Sequence, residues 1–257
     1  MKEKLSKKNQ SVEKVFHIIE IMTKGKGSMR LQDISLESKL PASTVLRLLN
    51  TLLTYNYVNQ NPENSKYSLS MKFCQLGNFI HSQISIRDII KPFLIELSEK
   101  SQESACLAIE EDVMAVYIDN VEGPDKILRT MQRIGKRAPL HSTGVGKILL
   151  LNYSEKELET FVKNKGLVML TTNTITTLDG LILELKKVRS QNYAFDNEEC
   201  ELGARCIAVP IKDYTGKIVA SMSVSGPSSR LTFNKIDFIK PIILKLSIDA
   251  TKALGFN

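Results

Sequence analysis

The run Leu40-Pro-Ala-Ser-Thr-Val-Leu-Arg-Leu-Leu-Asn-Thr-Leu53 leaves this chain little freedom. Proline is tolerated in the first turn of a helix, where its missing N–H has no intrahelical acceptor to lose, and it pushes the residue before it out of helical backbone. A helix is therefore expected to start near Pro41, behind a sharp turn. Val45, Leu48, Leu49 and Leu52 recur at spacings of three and four and give it one apolar face. Ser43, Thr44, Arg47, Asn50 and Thr51 are left on its other faces, a polar surface of small side chains with one arginine.

The flanking segments extend the pattern. Upstream, Ser11 is the expected N-cap of a first helix whose apolar residues are Val12, Val15, Phe16, Ile19 and Met22. Lys24-Gly-Lys-Gly-Ser28 ends it, and Leu31, Ile34 and Leu36 mark a short second helix. Downstream, Tyr55 to Gln60 and Lys66 to Ser70 read as two strands around the turn cluster Asn61-Pro-Glu-Asn-Ser65. Three helices followed by a hairpin make a winged helix-turn-helix, the third helix entering a DNA major groove while helix ends and wing hold phosphates. Ser43, Thr44, Arg47, Asn50 and Lys66 are the expected DNA-binding residues. Arg47 is the candidate for a guanine contact, because its fork matches the O6 and N7 acceptors. A solvated helix face is the competing reading for each of these residues, and the favoured one for Asn50 and Thr51; a winged helix used only for protein contact is the competing reading for the whole segment.

Charge points the same way. The net charge is +7, and residues 1–75 hold 12 Lys and Arg against 6 Asp and Glu, while residues 76–257 hold 23 against 22. A basic module joined to a near-neutral one is what a polyanion-binding domain with a separate partner domain produces. With 42% apolar and 25% charged residues the chain is an ordinary globular one, not a disordered or fibrous one. No apolar stretch is long enough for a membrane span, and the basic N-terminus is followed by no apolar signal segment, so a cytoplasmic location is expected. Cys74, Cys106, Cys200 and Cys206 form no CxxC pair and are read as reduced thiols.

Beyond the hairpin, residues 70–82 and 84–100 keep helical spacing, with Pro92 a kink or late start in the second. Ala105 to Ile109, Met114 to Ile118 and Ile127 to Met131 read as strands. Gly144 opens a helix through Leu151, Ser154-Glu-Lys-Glu157 is a capping box, and Leu178 to Arg189 is a further helix. Arg205 to Ile211 and Lys217 to Val224 form a hairpin, and a helix from about Asn234 to Leu254 closes the chain. The expected class is α+β. The domains are a winged helix-turn-helix over residues 1–70, a helical linker over 71–84 and an effector-binding and oligomerisation domain over 85–257.

Leu40 to Leu53, with Tyr57-Val58 and Lys66-Tyr-Ser-Leu69, resembles the helix-turn-helix signature of the IclR family of bacterial transcriptional regulators. Lys39 stands where that family usually has a glycine, so the turn would require a non-glycine residue at positive φ. Ala138 to Lys147, Asn192 to Glu199, Gly203 to Ile211 and Ala220 to Pro227 with Arg230 are similar to the family's effector-domain motifs. The resemblance runs from about Ser11 to Leu254. It implies a GAF-like domain with a six-stranded antiparallel sheet, a homodimer or homotetramer, and a repressor of a catabolic operon that reads palindromic operator DNA.

Thr143, Gly144 and Val145, at a glycine-flanked helix start, offer amides suited to a small anion such as a carboxylate. The family motifs add Asp196, Cys206, Ser223 and Ser225, the two serines sharing one strand face. The expected effector is a small organic or sugar acid. No cofactor is expected, since Gly144-Val-Gly-Lys147 fails the P-loop pattern and the His and Cys positions lack metal spacing. Two alternatives are an enzyme fused to a helix-turn-helix, using Cys206 or His141, and a thiol redox sensor using Cys200 and Cys206.

Overall fold

The computed structural model describes residues 9–25, 27–83, 85–124 and 133–256. The chain divides into two compact units, residues 1–84 and 85–257.

In the first unit, α1 (Gln10–Lys24), α2 (Leu31–Ser38) and α3 (Ala42–Thr54) are followed by the hairpin β1 (Val58–Gln60) and β2 (Tyr67–Leu69), then α4 (Lys72–Gln83). The cap of α1 is Asn9 rather than the expected Ser11: its Oδ1 accepts the amides of Ser11 and Val12, so the helix begins a residue before the serine. Ile18, Ile34, Val45 and Leu49 are fully buried and bind the three helices into one core, each contributing roughly 1.5–3 kcal/mol on burial. Leu36, read as part of the apolar face of α2, is instead 81% exposed. Lys39 does adopt the left-handed conformation, φ 55°, ψ 30°. The Ser35 hydroxyl donates to the Leu40 carbonyl at 2.6 Å and holds the turn around it.

In the second unit, α5 (Ile86–Ser101) leads into β3 (Ser104–Glu111) and β4 (Met114–Val121). The helix already begins at Ile86 and continues through Pro92, so the late start is set aside; the proline leaves the carbonyl four residues back without its helical donor. The strand expected over Ile127–Met131 lies outside the described residues. Next come β5 (Arg137–Ala138), α6 (Gly144–Leu149), a 3₁₀ turn Leu150–Asn152, α7 (Glu155–Lys165) and α8 (Leu178–Gln191). The chain closes with β6 (Ala194–Asn197), β7 (Ala204–Lys212), β8 (Ile218–Pro227) and α9 (Phe233–Ala253). The expected capping box is formed, Ser154 accepting from the Glu157 amide.

The six strands form one antiparallel sheet in the order β5-β4-β3-β8-β7-β6. Alternation along the strands sends Ile207, Val209, Met222 and Val224 toward α5 and α9, and Cys206 and Ala208 toward α6 and α8. At the β6 edge, the carbonyls of Tyr193, Phe195 and Asn197 accept from Gln191 Nε2, Lys147 Nζ and Asn173 Nδ2.

Candidate functional site

Helix α3 has Pro41 as its cap, with no side chain bonded to its first amides. Ser43, Arg47 and Asn50 are exposed at spacings that place them along one stripe, and Thr44, beside them, is half-buried. The Asn61 Oδ1 accepts the amides of Glu63 and Asn64 and Asn64 Oδ1 accepts that of Lys66, which fixes the hairpin turn and leaves Lys66 half-buried where β2 begins. Lys72 donates to the Tyr55 carbonyl at 2.8 Å and lies 4.5 Å from the centre of the Tyr57 ring, tying α4 to the end of α3. The unit thus presents a polar helix face with open amides at its start and a firmly held wing.

The expected effector residues converge on the α6 face of the sheet. Asp196, Cys206 and Ser225 are register partners across β6, β7 and β8, and form one rung; Ser223 opposes Cys106 on β3 in the next. All five are buried. The start of α6 sits directly above: a Cβ added to Gly144 would lie 3.2 Å from the Cys206 sulfur and 3.3 Å from Cys206's neighbour on that face, Ala208. That glycine lets the backbone approach the sheet.

Chemically the face is rich in uncommitted hydroxyls. The hydroxyls of Ser142, Ser223 and Ser225 are buried without a nitrogen or oxygen partner among the described residues. Sulfur is what they face: Cys206 against Ser223 and Ser225, Cys200 against Ser142. Burial pushes the Cys206 thiol up to about 12 and lifts Cys200 as well. Asp196 is lifted to about 7 by burial, and both of its hydrogen bonds, from the amides of Glu199 and Cys200, fall on Oδ1.

Thr143, by contrast, has its side chain committed. Its hydroxyl donates to the Pro139 carbonyl at 2.7 Å and accepts the Gly146 amide at 3.1 Å, so it caps α6 and offers a ligand only its backbone. The Val145 side chain lies in the core. The amides of Gly144 and Val145 precede the first intrahelical bond and are the helix's donors toward the rung. His141, considered for chemistry, is buried with Nε2 donating to the Val168 carbonyl, and burial holds its pKa down. Among the described residues no group of three His, Cys, Asp or Glu side chains gathers to hold a metal.

Sequence reasoning missed Lys147. Its side chain is fully buried, and its ammonium donates to Glu199 Oε1 at 2.6 Å, the Phe195 carbonyl at 2.9 Å and Glu184 Oε1 at 3.0 Å. Three acceptors replace the water the ammonium has lost. Burial lifts Glu199, the Lys147 ammonium opposing it. The signal was there: in Gly144-Val-Gly-Lys-Ile-Leu-Leu-Leu151 the lysine is the one polar long side chain of an otherwise apolar helix. Ser142, Cys106 and Asn120, whose Oδ1 accepts from the Cys106 thiol at 3.4 Å, carried no such signal.

Comparison with known proteins agrees with both halves of this description. The family model "Bacterial transcriptional regulator IclR C-terminal" matches residues 79–250, and "IclR helix-turn-helix domain" matches residues 11–62. The HTH-type transcriptional regulator XynR of Escherichia coli (strain K12) is 33% identical over 247 residues, 96% of this chain and 98% of that protein. The HTH-type transcriptional repressor AllR of the same strain is 33% identical over 249 residues, 96% and 91%. Among solved structures, Thermotoga maritima IclR aligns with TM-score 0.63 at 30% identity over 96% of this chain and 99% of that one. The Agobacterium tumefaciens repressor BlcR aligns with TM-score 0.74 at 21% identity, over 96% and 98%, a likeness of fold.

Proposed function

The chain belongs to the IclR family of bacterial transcriptional regulators, and from that premise we propose that it is a cytoplasmic, effector-responsive repressor of a catabolic operon. Its operator is palindromic, read by a two-fold dimer or by a tetramer whose recognition helices set the half-site spacing. Ser43, Thr44, Arg47 and Asn50 on α3 meet the major groove, and Lys66 on the wing holds a phosphate. The effector is a small organic or sugar acid, held at the α6 start by the Gly144 and Val145 amides and on the sheet by Asp196, Cys206, Ser223 and Ser225.

The observation that carries the effector assignment is the pair of buried hydroxyls of Ser223 and Ser225, which face the Cys206 sulfur and have no nitrogen or oxygen partner among the described residues. An unpaired buried donor costs stability, roughly 1–3 kcal/mol, and a bound acid would repay it. Coupling to DNA then comes from the effector's unequal affinity for two arrangements of the assembly. The test is operator binding by the purified chain to its own upstream DNA, titrated at fixed salt with a panel of carboxylates and sugar acids. A compound that shifts operator affinity, and does so less in Ser223→Ala, supports the reading; specific binding that no acid shifts overturns the effector class.

Two rival roles fare less well. A thiol sensor needs thiolate at neutral pH, and burial holds Cys206 and Cys200 in the protonated form. An enzyme using Cys206 or His141 would need a base beside the thiol, whereas His141 is bonded to a backbone carbonyl. The relatives named above are regulators.

A further inference from the structure

A cleft of about 380 Å³ opens between α8, the free edge of β6 and α9. It lies at the sheet edge, away from the rung of Asp196, Cys206 and Ser225, and it is within the size range of small-molecule sites. Its lining carries charges of both signs. Glu184 and Glu199 share a single ammonium, that of Lys147, so one carboxylate charge is left over. Glu199, buried, also keeps its Oε2 without a hydrogen-bond partner among the described residues.

One turn along α8 from Glu184, Lys187 has no charged partner among the described residues, and Lys240 on α9 is bonded to Asp237 at 2.8 Å. Counting the lining charges of Lys187, Asp237 and Lys240 gives two ammonium groups to one carboxylate. Lys240 also lies 5.2 Å from the centre of the Tyr193 ring, and Tyr193 and Phe195 add apolar surface to the lining.

We propose that this cleft is a second ligand site, for a small ω-amino acid whose ammonium meets Glu184 and Glu199 and whose carboxylate meets Lys187 and Lys240. Glu184 and Lys187 are about one helical turn apart, roughly 5 Å along α8, which favours a zwitterion with its charges several bonds apart over an α-amino acid. Burial works against charge on Glu199, and an ammonium brought to its free oxygen would hold it ionised. The same residue's amide is bonded to Asp196, so occupancy of the cleft acts on the loop that is tied to one member of the rung. The site is independent of which acid the rung binds.

Calorimetry on the full chain with three matched probes, 5-aminopentanoate, pentylamine and pentanoate, tests this. The expected result is saturable binding of 5-aminopentanoate alone, weakened at least tenfold in Lys187→Gln and Glu184→Gln and unchanged in Ser223→Ala. Thermal unfolding by circular dichroism confirms that each variant is folded; should Glu184→Gln fail to fold, Lys187→Gln and Lys240→Gln carry the comparison, both being surface changes. Absence of saturable binding, equal binding of pentanoate, or a loss confined to Ser223→Ala would each overturn the proposal, the last by moving the zwitterion to the rung.

Discussion

Lys147 and Glu199, 52 residues apart, meet at 2.6 Å, the lysine from the apolar helix α6 and the glutamate from the loop after β6. Lys147 also reaches Glu184 on α8, so one buried ammonium joins three elements around the rung.

Removing that ammonium leaves carboxylates buried without compensation. Lys147→Met is expected to cost about 3–5 kcal/mol in urea unfolding, and Lys147→Met combined with Glu199→Gln to recover part of it. Equal stabilities of the single and double variants would refute the coupling.

Asp196 carries a pH signature. Its pKa rises from 3.8 to about 7 on folding, so between those values the folded chain holds a proton that the unfolded chain has lost. Stability contributed by the protonated group is complete below pH 4 and falls as pH rises toward 7. Glu103 and Asp119, held low by Arg230 and Lys235 and by Lys91, act oppositely and only as pH falls into the carboxylate range. Asp196→Asn, which keeps an acceptor for the Glu199 amide, is expected to flatten the stability profile between pH 5 and 8. Parallel profiles for the two proteins would show that Asp196 ionises normally.

Ser223 separates folding from function. Its hydroxyl is buried with only the Cys206 sulfur to face, so Ser223→Ala is expected to stabilise the free protein by about 1 kcal/mol while weakening the response to effector. A loss of stability in thermal unfolding would mean that the hydroxyl serves the fold.

On DNA, Arg47→Ala is expected to cost about 1–3 kcal/mol on the preferred operator and to relax the choice of one base per half-site. Lys66→Ala is expected to weaken all sequences alike and to lower the salt slope by about 1. Binding to a set of single-base operator variants at fixed salt distinguishes the two; an unchanged base preference in Arg47→Ala removes it from the groove.

Lys39 pays for its left-handed backbone, φ 55°. Lys39→Gly is expected to raise stability by up to about 1 kcal/mol, the relief of strain exceeding the entropy gained by the unfolded chain. Chemical denaturation checks the sign.

The first unit was legible because its signals are local. The Pro41 start, the apolar spacing of Val45, Leu48, Leu49 and Leu52 and the Asn61 turn each act within a few residues. The cap at Asn9 was missed because Asn9 and Ser11 are both good caps, and only backbone geometry chooses between them. The rung was legible as residue types carried by motifs, but that Asp196, Cys206 and Ser225 lie side by side depends on strand register over 30 residues. Lys147 stood out as the polar residue of an apolar helix, but its partners were hidden for a related reason: the three acceptors come from α8, β6 and the loop beyond, none near it in sequence.

The carbonyls of Tyr193, Phe195 and Asn197 are all taken by side chains of the same chain. The outer strand of the sheet therefore offers a visiting strand no regular row of acceptors, and stacking of sheets into fibrils through this border is disfavoured. At this border, growth of the sheet by one more strand would first have to break those three side-chain bonds.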